Sequence, residues 1–256
     1  MTGEAALQPR LFVVARPALD EAALEAFLDS EDTTWRRTAE ALPPEEVVEL
    51  AGRLCYMSYG DRQSPKDNRG YIEHLVKQGH DSVLEHATWT FILAGVTRAF
   101  THQFVRHRIG FSYSQLSQQY HDERDADAVM PEVIRGDPQL ATLWADAVDA
   151  AQRTYRRLAD ELSARDVGLP DPERRRLFRS AARTVLPEAT ETKIAFTANA
   201  RSLRHFLYER GNLPGDEEMR TVSILLLDTM TREAPALFGD FEVREGPGGK
   251  DVVTTR

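Results

Sequence analysis

Cysteine is nearly absent: Cys55 is the one example in 256 residues, so no internal disulfide is possible and a reducing compartment fits. Basic charge is short as well. Thirty-two Lys and Arg against 41 Asp and Glu leave a formal net charge of -9. That disfavours general nucleic-acid binding through a basic surface, so any anion site must be a local basic pocket in an acidic protein. No apolar run is long enough to cross a bilayer, and residues 1–15 lack the basic-then-apolar form of a signal peptide. A cytoplasmic enzyme or binding protein is expected. Several motifs are also missing. There is no Walker loop and no Gly-x-Gly-x-x-Gly, which removes support for a P-loop or Rossmann nucleotide site. No Gly-x-Ser-x-Gly elbow occurs. There is no His-Glu-x-x-His, and His102, His107 and His121 form no compact ligand set with a carboxylate, so no metal is expected.

What is present is ordinary in bulk, with 41% hydrophobic and 29% charged residues, and sufficient for a sizeable core. Leu11 to Ala15 suits a buried strand, and residues 18–29 are weakly helical. Pro43-Pro44 opens a helix on which Val47, Val48, Ala51, Leu54 and Cys55 recur at helical spacing, so Cys55 reads as a buried small hydrophobe. Tyr71, Ile72, Leu75 and Val76 mark a second helix, with Gly79 placed as its C-terminal cap. Thr88 to Leu93 reads as a strand, and Val96 to Arg108 returns to helical spacing. Residues 60–67 and 121–136 read as loops. Asp137-Pro138 is an N-cap and first-position proline opening a long amphipathic helix, and Asp171-Pro172 repeats the signal for a helix reaching Pro187. A strand over Lys193 to Ala198, a helix over Ala200 to Glu209, a turn at Pro214-Gly215 and a last helix over Glu217 to Arg232 follow. Residues 1–9 look loose, and residues 239–256, which hold Gly-Pro-Gly-Gly, read as a flexible tail. The expected fold class is α+β: one helix-rich catalytic domain over 1–256 around a small central β-sheet, with its core over about 45–236.

One stretch resists a purely structural explanation. Gln103-Phe104-Val105-Arg106-His107-Arg108 is followed by Ser112-Tyr113-Ser114-Gln115-Leu116-Ser117-Gln118-Gln119-Tyr120. Three cations or near-cations stand in adjacent positions and run into hydroxyl and amide side chains. Arg offers a rigid fork matched to phosphate oxygens, and Ser, Gln and Tyr supply the bonds that orient a planar base. Besides Gln103 and Arg106-His107-Arg108, four polar groupings exceed what secondary structure requires: His80, Ser82 and Glu85; Ser117 to Tyr120; Arg183 before Pro187; and Asn199, Arg201, His205 and Arg210. Arg201 and His205 share a helix face at i,i+4. Each also has a plain structural reading. His80 can cap a turn, Arg106-His107-Arg108 can be a solvated basic face, and Arg201 and Arg210 can pair with Glu209 and Glu217.

Arg106-His107-Arg108, eight residues and then Ser117 with Tyr120 three positions on, resembles the signature of the flavin-dependent thymidylate synthases. The blocks Gly79 to His86, Gln103, Arg183-Thr184-Val185-Leu186-Pro187 and Asn199-Ala200-Arg201-Ser202-Leu203 follow in that family's order and spacing, so the resemblance covers roughly residues 45–236. It implies a homotetramer of helix-rich α+β subunits with active sites built from several subunits. It implies FAD, with NADPH and 5,10-methylenetetrahydrofolate as co-substrates, and methylation of uracil C5 in a uridine 5'-monophosphate, dUMP to dTMP. By the same resemblance, His80, Ser82, Glu85, Arg106, His107, Arg108, Ile109, Asn199, Arg201 and His205 should hold the flavin, with His80 near the flavin ring and the folate. Gln103, Arg106, Gln115, Ser117, Gln118, Gln119 and Arg183 should grip the nucleotide. Arg210 matches the arginine that polarises the uracil and favours loss of the N3 proton. One part is legible without the resemblance. C5 of uracil is a poor nucleophile, and a common solution is a cysteine adding to C6. With Cys55 alone in an apolar register, that route is not supported here, whereas a fixed arginine and a flavin hydride need no protein nucleophile.

Three positions depart from the family pattern. Gln119 stands where many members have arginine, the segment 109–116 is one residue longer than in the shorter variant, and Pro214 falls near the place of a flavin-binding histidine. These changes suggest an altered substrate range, such as UMP accepted beside dUMP, as in the branch of polyoxin-type nucleoside-antibiotic biosynthesis. Two other readings stand beside this one: a flavin/NADPH oxidoreductase on the same scaffold, and a non-catalytic nucleotide-binding or RNA-binding protein. Net acidity and the lack of an aromatic stacking platform count against RNA. Neither a nucleic-acid nor a membrane partner is expected.

Overall fold

The computed structural model describes residues 7–213 and 215–255. The expected looseness of residues 1–6, the turn and flavin contact read at Pro214, and Arg256 of the expected tail lie outside the described residues. In chain order the elements are β1 (Arg10–Ala15), α1 (Glu21–Ser30), α2 (Pro43–Leu54), α3 (Asn68–Lys77), β2 (Thr88–Thr97), α4 (Arg98–Phe104), β3 (Phe111–Gln115), α5 (Glu132–Arg135), α6 (Pro138–Ser163), α7 (Asp171–Ala182), β4 (Glu191–Asn199), α8 (Ala200–Arg210), α9 (Glu217–Glu233), α10 (Pro235–Phe238), β5 (Phe241–Glu245) and β6 (Asp251–Thr255). The fold is α+β. A four-stranded sheet has the order β1-β2-β4-β3, and β5 pairs with β6 apart from it. No helix among the described residues is long and apolar enough to cross a membrane.

The chain divides into two compact units. The first holds Leu11–Ile92, His107–Tyr113 and the chain from Ala195 onward; the second holds Leu93–Arg106 and Ser114–Ile194 with the N-terminal residues up to Arg10.

In the first unit, α2 inverts the expected amphipathic reading. Its buried residues are Pro44, Glu45, Glu46, Val48, Glu49, Gly52 and Arg53, while Leu54 and Cys55 are exposed. Each buried carboxylate has a partner from elsewhere. Glu46 takes both forks of Arg37 at 2.7 and 2.8 Å. Glu45 accepts the Ala236 N–H. Glu49 binds Arg53 at 2.6 Å, Asn68 at 2.7 Å and Trp35 at 3.3 Å. The Tyr71 ring covers the Arg53 guanidinium at 4.5 Å. Paired charges tolerate burial that lone ones do not. Cys55 is therefore an exposed C-cap residue and no core hydrophobe. On the sheet, Phe91 stacks on Phe196 at 4.8 Å, and the hydroxyls of Thr90 and Thr197 meet at 2.9 Å.

The residues read as a tail instead form an antiparallel hairpin, with Phe241 opposite Thr255 and Val243 opposite Val253. The Gly-Pro-Gly-Gly run is its turn, where Gly248 and Gly249 take φ of 73° and 69°. Val253 is 1% exposed, and its N–H bonds the Gly211 carbonyl at the end of α8.

In the second unit, Asp137 caps α6 by accepting from the N–H groups of Gln139 and Leu140, and α6 packs on α7 through Tyr155, Ala159 and Ala182. Three further expectations are corrected. The strand continues to Thr97, so the helix read over 96–108 is only Arg98–Phe104, capped by the Thr97 hydroxyl on the Phe100 N–H. Asp171 is the first residue inside α7, after Pro170, and α7 ends at Ala182 before a 3-10 turn at Arg183–Val185. The loop read over 121–136 contains the short α5. β3 was not expected: Phe-Ser-Tyr-Ser-Gln does alternate, and its burial follows that alternation, but it is only five residues long within a polar run.

Candidate active site

In the first unit, α3 ends with a two-bond cap. Gly79, at φ of 70°, donates to the Val76 carbonyl at 3.1 Å, and His80 donates to the Leu75 carbonyl at 3.0 Å. This delivers His80, Asp81 and Ser82 into a 3-10 turn at Asp81–His86. α8 begins where β4 ends. The Asn199 side chain accepts the Ser202 N–H at 2.9 Å, and the Ser202 hydroxyl donates to the Ile109 carbonyl at 2.8 Å. Gly110 takes φ of 71°, and a Cβ there would overlap the Ser202 hydroxyl and Asn199 Nδ2. Only glycine lets the chain after Arg108 dock this closely on the start of α8.

Two clefts result. One, of about 620 Å³, is lined by Ile109, Arg201, Ser202, His205 and Tyr208, with Phe241 and Thr255 of the hairpin. The other, of about 380 Å³, is lined by His80, Ser82, Cys55 and Tyr56. Asp81 and Arg201 border both. Arg201 pairs with Glu85 at 2.6 Å rather than with Glu209, and both partners are half exposed, so the pair adds at most about 1 kcal/mol. Ile109 is 90% exposed, an apolar side chain presented at the cleft mouth.

Arg210 and His107 also meet in this unit. The Arg210 Nε–H donates to His107 Nε2 at 2.9 Å, in place of the pairing with Glu217 that charge alone suggests. Burial first, then Arg210 and His205, push the His107 imidazole below its ordinary pKa, against a smaller opposite pull from Glu209. The ring is therefore neutral at pH 7, with its proton on Nδ1, because Nε2 is the acceptor.

The second unit gathers the other residues. Gln103 lies on the last turn of α4 and Arg106 just past its end, its N–H donating to the Gln103 carbonyl; Gln103 is exposed and Arg106 partly buried. Gln115 is tied down: its amide nitrogen reaches the Thr101 and Thr192 hydroxyls at 2.9 and 3.3 Å. Ser117 turns the chain, its carbonyl accepting from Tyr120 and His121 and its hydroxyl from the Gln119 N–H. Gln118 is 6% exposed, and its Nε2 has no hydrogen-bond partner among the described residues. Buried donors are almost always met in native folds, so this one calls for an acceptor from outside the described residues, such as water or a ligand. Arg179, one turn ahead of Arg183, donates to the Tyr120 carbonyl at 2.6 Å and holds the turn against α7.

Sequence reasoning missed Arg98. It stands first in α4, where the helix dipole disfavours a cation. Burial lowers its pKa most, and Arg183 lies close enough to lower it further, while Glu123 and Glu188 oppose. Two arginines and two carboxylates therefore neighbour one another in this half-buried place. A cation on the wrong end of a helix was the signal available in the sequence.

Among the described residues no group of three or more His, Cys, Asp or Glu is placed to hold a metal. Thus the residues expected at the flavin, Arg106 apart, belong to the first unit, and those expected at the nucleotide, Arg210 apart, to the second.

Comparison with known proteins places the chain by overall similarity. The family model described as thymidylate synthase complementing protein matches residues 38–236. A flavin-dependent thymidylate synthase of Mycobacterium avium is 43% identical over 232 residues, covering 90% of this chain and 91% of the relative. Proteins of the same name from Mycobacterium marinum and Mycobacterium tuberculosis are 42% identical over the same shares.

Proposed function

The chain belongs to the flavin-dependent thymidylate synthase family, and we propose that it methylates uracil C5 of a uridine 5'-monophosphate, dUMP first. In this reading methylenetetrahydrofolate provides the carbon and NADPH the reducing equivalents. FAD, when bound, supplies the hydride that completes the methyl group. The larger cleft suits a flavin: its volume is in the range of small-molecule sites, and it combines an exposed apolar side chain, a cation and the capped start of α8. Arg201, His205, Ile109 and Asn199 would hold the cofactor there, with Glu85 fixing Arg201. His80 and Ser82 would hold it from the second cleft, and Arg106 and Arg108 would supply charge to its phosphates. Arg98 and Arg183 would receive the nucleotide phosphate, with Gln103, Gln115, Ser117, Gln118 and Gln119 orienting sugar and base.

The observation that carries the reading is Arg210. Its guanidinium is half-buried and held through Nε by a neutral ring, and its other nitrogens meet no acceptor among the described residues. A fixed positive charge of this kind, aimed at a uracil carbonyl, stabilises the electron density that builds on the ring as N3 loses its proton, and C5 becomes the nucleophile. C5 then bonds the one-carbon unit and loses its hydrogen, and no protein nucleophile is consumed. Cys55 lines the other cleft, with His80 and Ser82, and this reading asks nothing of its thiol.

The Arg210→Ala enzyme is expected to bind flavin and to lose C5 methylation by about 10²–10³ in kcat, the usual cost of a fixed charge-stabilising donor. Full activity in that variant would remove Arg210 from the mechanism. UMP as a second substrate is favoured by Gln119 and the lengthened 109–116 segment. A homotetramer is supported by the exposed apolar side chains at the clefts: Ile109, Tyr208 at 67% and Tyr56 at 69% exposure. The balance of charge and the lone cysteine support a cytoplasmic site of action.

A further inference from the structure

We infer that His107 is a positioning residue for Arg210: its unprotonated Nε2 accepts the Arg210 Nε–H and sets the plane of the guanidinium. The inference rests on the reading of Arg210 given above and departs from the flavin contact that the resemblance implies for this histidine. A guanidinium is rigid and planar, so fixing Nε leaves one orientation for the two terminal nitrogens. The 2.9 Å bond joins residues 103 positions apart.

The surroundings hold the ring to that task. Phe206, one turn before Arg210 on α8, meets the His107 ring edge-on at 5.2 Å, and Phe111 tilts against it at 6.2 Å. The Tyr113 hydroxyl donates to the His107 carbonyl at 2.7 Å and pins the backbone. One face of α8 therefore supplies both the wall that orients the imidazole and the arginine it orients. A guanidinium has no acceptor and can only donate, so the bond exists only while His107 is neutral. The charged and titratable groups facing the ring are Arg210, His205 and Glu209, all of α8. β3 brings Phe111 and the Tyr113 phenol, whose ionisation burial pushes far up, so that side stays uncharged. Burial first, and then the Arg210 charge, keep the proton off Nε2 at neutral pH. As pH falls through the lowered pKa, His107 becomes a double donor, the bond is lost and Arg210 is released.

The test measures C5-hydrogen release from dUMP against pH, with flavin, NADPH and methylenetetrahydrofolate saturating, alongside titration of each enzyme with FAD. His107→Phe keeps the ring and removes the acceptor. It is expected to lower kcat about tenfold or more, the worth of one hydrogen bond to a charged group, with flavin affinity unchanged. His107→Gln places an amide oxygen that accepts and does not titrate. It should restore most of kcat and abolish the acid limb of the wild-type profile. In an Arg210→Ala background, His107→Phe should cost nothing further. An inactive Arg210→Ala together with a fully active His107→Phe overturns this inference alone. Weakened FAD binding by His107→Phe with kcat intact at saturating FAD also overturns it and returns His107 to the flavin. A fully active Arg210→Ala overturns the reading of Arg210 beneath it.

Discussion

Gln119 carries the sharpest single-residue question. It follows a buried amide, Gln118, whose donor has no partner among the described residues, on a turn that Arg179 holds to α7. An arginine at 119 would add a charge-assisted bond of about 1.5–3 kcal/mol to a nucleotide phosphate or sugar. Gln119→Arg is expected to lower KM for dUMP and to narrow the enzyme toward it. The KM and kcat for dUMP and UMP, measured in parallel, check this, and an unchanged ratio between the two substrates contradicts it. Glu123 gives a pH prediction. It is 3% exposed, and burial raises its pKa above the ordinary carboxylate value, against His121, Arg98 and Lys193. A group with a raised folded pKa favours the fold while protonated in both states. That contribution is lost as pH rises from the unfolded value, about 4.3, through the folded one. Glu123→Gln should therefore raise the melting temperature at pH 8 and leave it unchanged near pH 4. Equal shifts at both pH values would show that the charge is not the cause.

At the scale of elements, the start of α8 and the buried face of α2 each make a prediction. Gly110→Ala forces a side chain into the Ser202 hydroxyl from a backbone conformation with φ of 71°. It should pull the 107–110 segment off α8 and weaken FAD binding by about tenfold or more, at a cost comparable to other strained positions of about 1–3 kcal/mol; unchanged affinity in a fluorescence titration would separate this segment from the flavin. Glu49→Ala leaves Arg53 buried without its carboxylate and should cost about 3–5 kcal/mol in urea unfolding. What the sequence reveals differs between such elements. Asp137-Pro138 and Gly79 are legible because capping is a local rule, and both act as expected. The face of α2 is not legible, because Glu46, Glu49 and Arg53 look solvated until Arg37, Trp35, Asn68 and Tyr71 are known to meet them. Cys55 was misplaced for the same reason. Of the site, the arginines, histidines and amides were legible as types in order, but not the bond between His107 and Arg210, which joins two distant segments.

For the whole molecule, the C-terminal hairpin decides whether the end of the chain matters. Composition suggested a tail, because glycine and proline mark a tight turn and a loose segment alike. Phe241 and Thr255 line the larger cleft, and the Arg204 guanidinium sits 4.9 Å from the Phe241 ring while bonding Asp240. Ending the chain after Asp240 should lower both FAD affinity and melting temperature. A homotetramer predicts a solution mass about four times the 28.9 kDa chain, which light scattering would read directly. The most direct measurement for the account as a whole is release of the C5 hydrogen from labelled dUMP and labelled UMP, in parallel, with FAD, NADPH and methylenetetrahydrofolate present. The account predicts release from dUMP that stops when any of the three is withheld, with UMP also turned over. No release from either nucleotide, while NADPH is still oxidised, would contradict it.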